Sequence, residues 1–144
     1  MCALFAVLLL SGCGEDKYEL SCSVGDVEKI EILYISPHGD RTVEELQIIE
    51  PLVVIPENDH SSFLEGLLEL PCIRQGMDPI QGISYDTVRI TYTDSSVEWI
   101  SYMCSQYYNV EADQCQWKYY YFEEEIFEDF ISQYLPENSE ASKG

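Results

Sequence analysis

Apolar and polar positions alternate along this chain with a period that changes, and the changes mark its elements. Between Val27 and Ile35, Ile30, Ile32 and Tyr34 share one side of an extended segment, with Lys29 and Glu31 on the other. This two-residue period predicts a strand. Ser36-Pro37-His38-Gly39-Asp40 ends it with turn-forming residues. Residues 42–55 carry two patterns: Val43, Leu46 and Ile49 fit a helical stripe, whereas Leu46 and Ile48 fit a strand. Pro51 and Pro56 interrupt both, and the segment reads as two short strands.

The period then lengthens. Ser62-Phe63-Leu64-Glu65 has the spacing of a capping box, and Phe63, Leu64, Leu67 and Leu68 recur as on a helix until Pro71. Strict alternation returns over Thr87–Thr93, with Val88, Ile90 and Tyr92 inward and Thr87, Arg89, Thr91 and Thr93 outward. After the turn Asp94-Ser95-Ser96, Val97–Met103 supplies a partner strand carrying Trp99, which predicts a hairpin. A polar loop holds Cys104 and Cys115, and Trp117–Phe122 forms another strand. Glu123, Glu124 and Glu125 open a last helix at its positive end, and Phe122, Ile126, Phe127, Phe130, Ile131 and Tyr134 form its stripe. Pro136 ends it, and 137–144 lacks apolar content and reads as a disordered tail. This order predicts an α+β domain over 27–136: an antiparallel sheet of about five strands with two amphipathic helices packed on one face.

The N-terminus follows another logic. Ala3 to Leu10 is an unbroken apolar run of eight residues. As a helix it is about 12 Å long, against about 30 Å of hydrocarbon, too short to span a bilayer but long enough for a secretory signal. Leu10-Ser11-Gly12-Cys13 follows directly and resembles the lipobox of bacterial lipoproteins. The resemblance covers only this end of the chain. It implies removal of residues 1–12, acylation of Cys13, anchoring to the membrane through that lipid, and an extracytoplasmic location. Only Met1-Cys2 precedes the run, without the usual Lys or Arg, which points to a start upstream of Met1. Residues 13–26 read as the lipidated cysteine and a polar tether.

Charge narrows the function. Of 144 residues, 27 are acidic and seven basic, for a formal net charge of −20. Nucleic-acid affinity rests on Lys and Arg neutralising phosphates, so a nucleic-acid partner is excluded. If Cys2 leaves with the signal and Cys13 takes lipid, Cys22, Cys72, Cys104 and Cys115 remain, an even number in an exported chain. That predicts disulfides Cys104–Cys115 and, by elimination, Cys22–Cys72. No C-x-x-C pair is present and His38 and His60 are the only histidines, so neither a zinc site nor another metal or cofactor is expected.

Catalysis finds little support. Ser61 or Ser62 with His60 and Asp59 or Asp40 contains the residue types of a hydrolase triad, but neighbours in a helix cap point apart. The carboxylates show no calcium-loop spacing. The aromatic residues speak more clearly. Half of all Trp, Tyr and Phe residues lie between Trp99 and Phe122, and Tyr119-Tyr120-Tyr121 places rings on both faces of one strand. A sheet with one buried face leaves the other set exposed, and Tyr and Trp anchor recognition surfaces. The expectation is a non-catalytic accessory domain recognising a macromolecule or glycan through Tyr107, Tyr108 and Tyr120. The alternative is an inhibitor of a cationic enzyme such as lysozyme. Small acidic lipoproteins include such inhibitors, although the serine-glycine loop associated with them is absent here.

Overall fold

In the computed structural model, described over residues 16–37, 41–74, 82–83 and 85–137, eight strands and three helices form an α+β fold. The expected leader 1–12, Cys13, and the tail beyond Glu137 lie outside the described residues. The strands are β1 (Val27–Ile35), β2 (Val53–Val54), β3 (Cys72–Arg74), β4 (Tyr85–Tyr92), β5 (Val97–Ile100), β6 (Ser105–Asn109), β7 (Gln114–Lys118) and β8 (Tyr120–Phe122). The helices are α1 (Val43–Gln47), α2 (His60–Glu69) and α3 (Glu124–Ser132). Six strands make one antiparallel sheet in the order β2-β1-β4-β5-β6-β7, and β3 pairs with β8 in a separate ribbon.

The expected face assignments hold on the core side. Ile30 and Ile32 of β1, Val88, Ile90 and Tyr92 of β4, and Ile100 of β5 are buried together under Phe63, Leu64 and Leu67 of α2 and Phe127, Phe130 and Ile131 of α3. Both long helices therefore cover one face of the sheet. Gly66 of α2 is needed for this contact, since a Cβ there would stand 2.7 Å from a ring carbon of Phe130.

The opposite face is covered as well, contrary to the outward assignment of Thr87 and Arg89. Leu33, Ile35, Val97, Trp99 and Cys104 pack there beneath Leu46 of α1 and Ile83. Val43–Gln47 is thus a helix rather than a strand. Thr42 Oγ1 accepts the Glu45 N–H while Glu45 Oε2 accepts the Thr42 N–H, a complete capping box. Arg89 of β4 holds the other end of this helix. Its guanidinium donates to Glu31 Oε2 at 2.7 Å and to the carbonyls of Leu46, Gln47 and Ile49 at 3.1–3.2 Å. A cation at these carbonyls complements the negative end of the helix. Burial alone would raise the Glu31 carboxyl, but the hydrogen bond and charge of Arg89 outweigh it and hold the group below its usual value.

Three further boundaries differ from expectation. α2 starts at His60, before Ser62, whose hydroxyl donates back to the Asp59 carbonyl instead of capping. The polar stretch after Met103 is itself strand β6, turning through Asp113 at a φ of 50° into β7. Trp117–Phe122 is divided at Tyr119, so that β7 edges the large sheet and β8 belongs to the ribbon.

Candidate binding cleft

The side of β5–β6–β7 beyond the long helices is covered by chain N-terminal to β1. Residues 16–22, expected as tether, pack against the domain. Asp16 pairs with Cys72 of β3, its N–H donating to the Cys72 carbonyl at 2.9 Å. The Tyr18 ring is buried against Tyr120 and Phe122.

One carboxylate holds this segment down. Alternation along β5 turns Glu98 into the core side, where it is fully buried. Its Oε1 accepts the Tyr18 hydroxyl and, at 3.0 Å, the Lys118 ammonium. Its Oε2 accepts the Tyr92 hydroxyl at 2.5 Å and the Ser21 N–H at 3.0 Å. Lys118 also donates to the Glu19 carbonyl at 2.6 Å and lies 5.1 Å from the centre of the Tyr18 ring. Burial, reinforced by the Glu98 charge, pushes the phenols of Tyr18 and Tyr92 above their ordinary value, so both remain donors. A buried charge is tolerated only when its acceptor sites are filled, as they are here.

Between this segment, the β7 edge and the ribbon lies a cleft of about 570 Å³. Glu19, Leu20 and Ser21 line it from the N-terminal segment; Tyr107, Gln116, Trp117 and Lys118 from β6 and β7; Arg74, Tyr119 and Tyr120 from the ribbon and the residue before it. The register explains the grouping. Tyr107 stands opposite Glu98 on one side and Gln116 on the other, and Arg74 stands opposite Tyr120. The Arg74 guanidinium makes no ion pair or side-chain hydrogen bond among the described residues, while its backbone N–H donates to Asp16 Oδ2 at 3.2 Å.

Of the expected binding residues, Tyr107 and Tyr120 reach the cleft and Tyr108 does not. As the neighbour of Tyr107 on a strand, Tyr108 projects to the opposite face, where its hydroxyl donates to Asp113 Oδ1 at 2.7 Å. Arg74, Lys118 and Glu98 escaped the sequence reading. Arg74 and Lys118 carried a signal nonetheless, being two of only seven cations in the chain.

The cysteines depart from the expected pairing: Cys22, Cys72, Cys104 and Cys115 are free thiols. Cys115 stands opposite Tyr108, and Cys104 precedes Tyr108 by four residues. That separates them by roughly 13 Å along the strand, whereas a disulfide needs Cα atoms within about 6.8 Å. Cys104 is buried and Cys115 exposed. Cys22 Sγ lies 3.4 Å from the Tyr107 hydroxyl, and Cys72 Sγ donates to the Asp16 carbonyl at 3.1 Å.

The serine-histidine cluster is not assembled as a triad. His60 Nε2 lies 3.1 Å from the Ile55 carbonyl, Ser62 is bonded to the Asp59 backbone, and Asp40 lies outside the described residues. Among the described residues, no group of three His, Cys, Asp or Glu side chains is placed to hold a metal ion, and no helix is long and apolar enough to cross a membrane. Set against known families, curated proteins and solved structures, the chain matches no family model, no curated protein and no solved structure.

Proposed function

We propose that this protein is a non-catalytic, lipid-anchored extracytoplasmic domain that binds a glycan in the cleft between Tyr107, Tyr120 and Arg74. The observation that carries this reading is the mixture of groups in one cavity. Tyr107, Tyr119 and Tyr120 line it with aromatic rings, Arg74 and Gln116 bring donors, and Glu19 and Gln116 bring acceptors. A sugar ring needs both, since its C–H face stacks on an aromatic ring while its hydroxyls give and accept hydrogen bonds. The cavity lies within the roughly 300–1,000 Å³ of small-ligand sites. Its charges are also nearly balanced: Arg74 faces Glu19 among the lining residues, and Lys118 is paired with the buried Glu98 beneath it. The anchor reading is supported by Leu10-Ser11-Gly12-Cys13 behind an apolar run.

Oligosaccharides from the host envelope, titrated against acylated protein while Trp117 fluorescence is followed, test the cleft. Binding lost in both Arg74→Ala and Tyr120→Ala, and little changed by salt, is the expected result. Binding that survives both substitutions removes the cleft as the site. The net charge supports the rival reading, an inhibitor of a basic enzyme, and affinity for such a partner falls steeply with salt. Labelled palmitate absent from Cys13 removes the anchor.

A further inference from the structure

The outer face of the β3–β8 ribbon carries an apolar surface that the glycan cleft does not use. Cys72 and Phe122 face each other across the ribbon and are buried, so their neighbours Ile73 and Tyr121, also directly opposed, point outward. Ile73 is 54 % exposed and Tyr121 37 %. Tyr102 lies 6.2 Å from Tyr121, ring centre to ring centre, and Tyr85 lies 6.3 Å from Tyr102, which extends the patch into a row of phenols. Such rings have an apolar body and a polar tip, the chemistry that settles at a membrane–water interface.

The described chain begins beside this patch. Asp16 is paired with Cys72, the residue next to Ile73, and Cys13 lies only three positions before Asp16. Fully extended, those three steps reach at most roughly 10–11 Å. A lipid on Cys13 therefore keeps this end of the domain, with the ribbon, close to the bilayer surface. We propose that Ile73 and Tyr121, with Tyr102 and Tyr85 behind them, dock the anchored domain onto a zwitterionic lipid interface. This rests on the lipid-anchor reading above. Glu124 and Glu128 act on Tyr102 from α3, and with the charge of the whole chain they select against anionic headgroups. The patch needs little affinity of its own, because the anchor raises its local concentration at the membrane.

Tyr121→Trp in the acylated protein, bound to phosphatidylcholine vesicles carrying nitroxide-labelled lipid, tests the proposal. Ile48→Trp is the control, since Ile48 is 79 % exposed and follows α1 on the opposite face of the sheet. The expected result is blue-shifted emission and strong quenching at position 121, at a depth of roughly 5–10 Å below the headgroups, with neither at position 48. Adding anionic lipid weakens the quenching. Protein that floats with the vesicles but is quenched equally at both positions, or more strongly with anionic lipid, overturns the docking and leaves the anchor standing. Protein that does not float with the vesicles overturns both. If the Trp variant misfolds, amide exchange of 72–74 and 120–122 in the unsubstituted protein decides: protection on vesicle binding supports the proposal, and unchanged exchange overturns it.

Discussion

Replacing Glu98 by Gln removes one charge and almost no volume, and it tests whether the buried carboxylate holds the N-terminal segment in place. Four groups donate to Glu98: the Tyr18 and Tyr92 hydroxyls, the Ser21 N–H and the Lys118 ammonium. An amide retains one acceptor oxygen and turns an NH₂ towards the donors at the other position. Two donors then lose their acceptor, each worth about 1.5–3 kcal/mol when the acceptor is charged. The sum agrees with the roughly 3–5 kcal/mol lost when one partner of a buried ion pair is removed. For a domain of this length, that lowers the melting temperature by roughly 10–20 °C. Thermal and urea unfolding followed by circular dichroism give the value. A cycle with Tyr92→Phe assigns it: the single change costs about 1.5–3 kcal/mol in the parent and little once Glu98→Gln is already in place. Proteolysis after Lys17, in the segment that Glu98 pins, quickens at the same time. A Glu98→Gln protein melting within about 3 °C of the parent, a loss below about 1 kcal/mol, refutes the reasoning.

Two further outcomes follow from the second face and the thiols. Arg89 holds Glu31 below its usual 4.5, so the ion pair contributes stability above that value and loses it as pH falls through the lower, folded value. The stability gap between parent and Glu31→Gln is therefore full at neutral pH and closes in acid; a gap that stays constant down to pH about 2 contradicts the assignment. Alkylation read peptide by peptide should modify exposed Cys115 first, whereas Cys104, whose thiol burial pushes up to about 11, reacts only after unfolding. Equal rates in the native protein, or a Cys104–Cys115 peptide cross-link, overturn the arrangement described for these residues.

Legibility in the sequence tracked how local each decision was. The β4–β5 hairpin and the apolar stripe of α3 were readable because a period of two or 3.6 residues is written in neighbouring side chains. The segment around Leu46 was not, because its residues satisfy both periods and the tie is broken by Arg89, 43 positions later. Ser62-Phe63-Leu64-Glu65 was read as a capping box and forms none, whereas Thr42-Val43-Glu44-Glu45, of the same spacing and not singled out in the sequence reading, forms one. Spacing states that the bonds can form; where the helix begins depends on what packs around it. Tyr108 is different in kind: its place on the face opposite Tyr107 follows from strand alternation alone once β6 is known to be a strand.

By itself, the sequence determined that this is an α+β chain with one helix-covered sheet, strongly acidic, with an eight-residue apolar run three positions ahead of Cys13. These are properties of composition and of short stretches, which need no knowledge of what lies across the sheet. Tertiary structure alone decided that Arg74 meets Tyr120 across the ribbon, that Glu98 is buried beneath the Tyr18 segment, and that Cys104 and Cys115 stand apart. Each of these depends on register between distant strands, where a shift of one residue exchanges the two faces and a shift of four moves a side chain by more than ~10 Å.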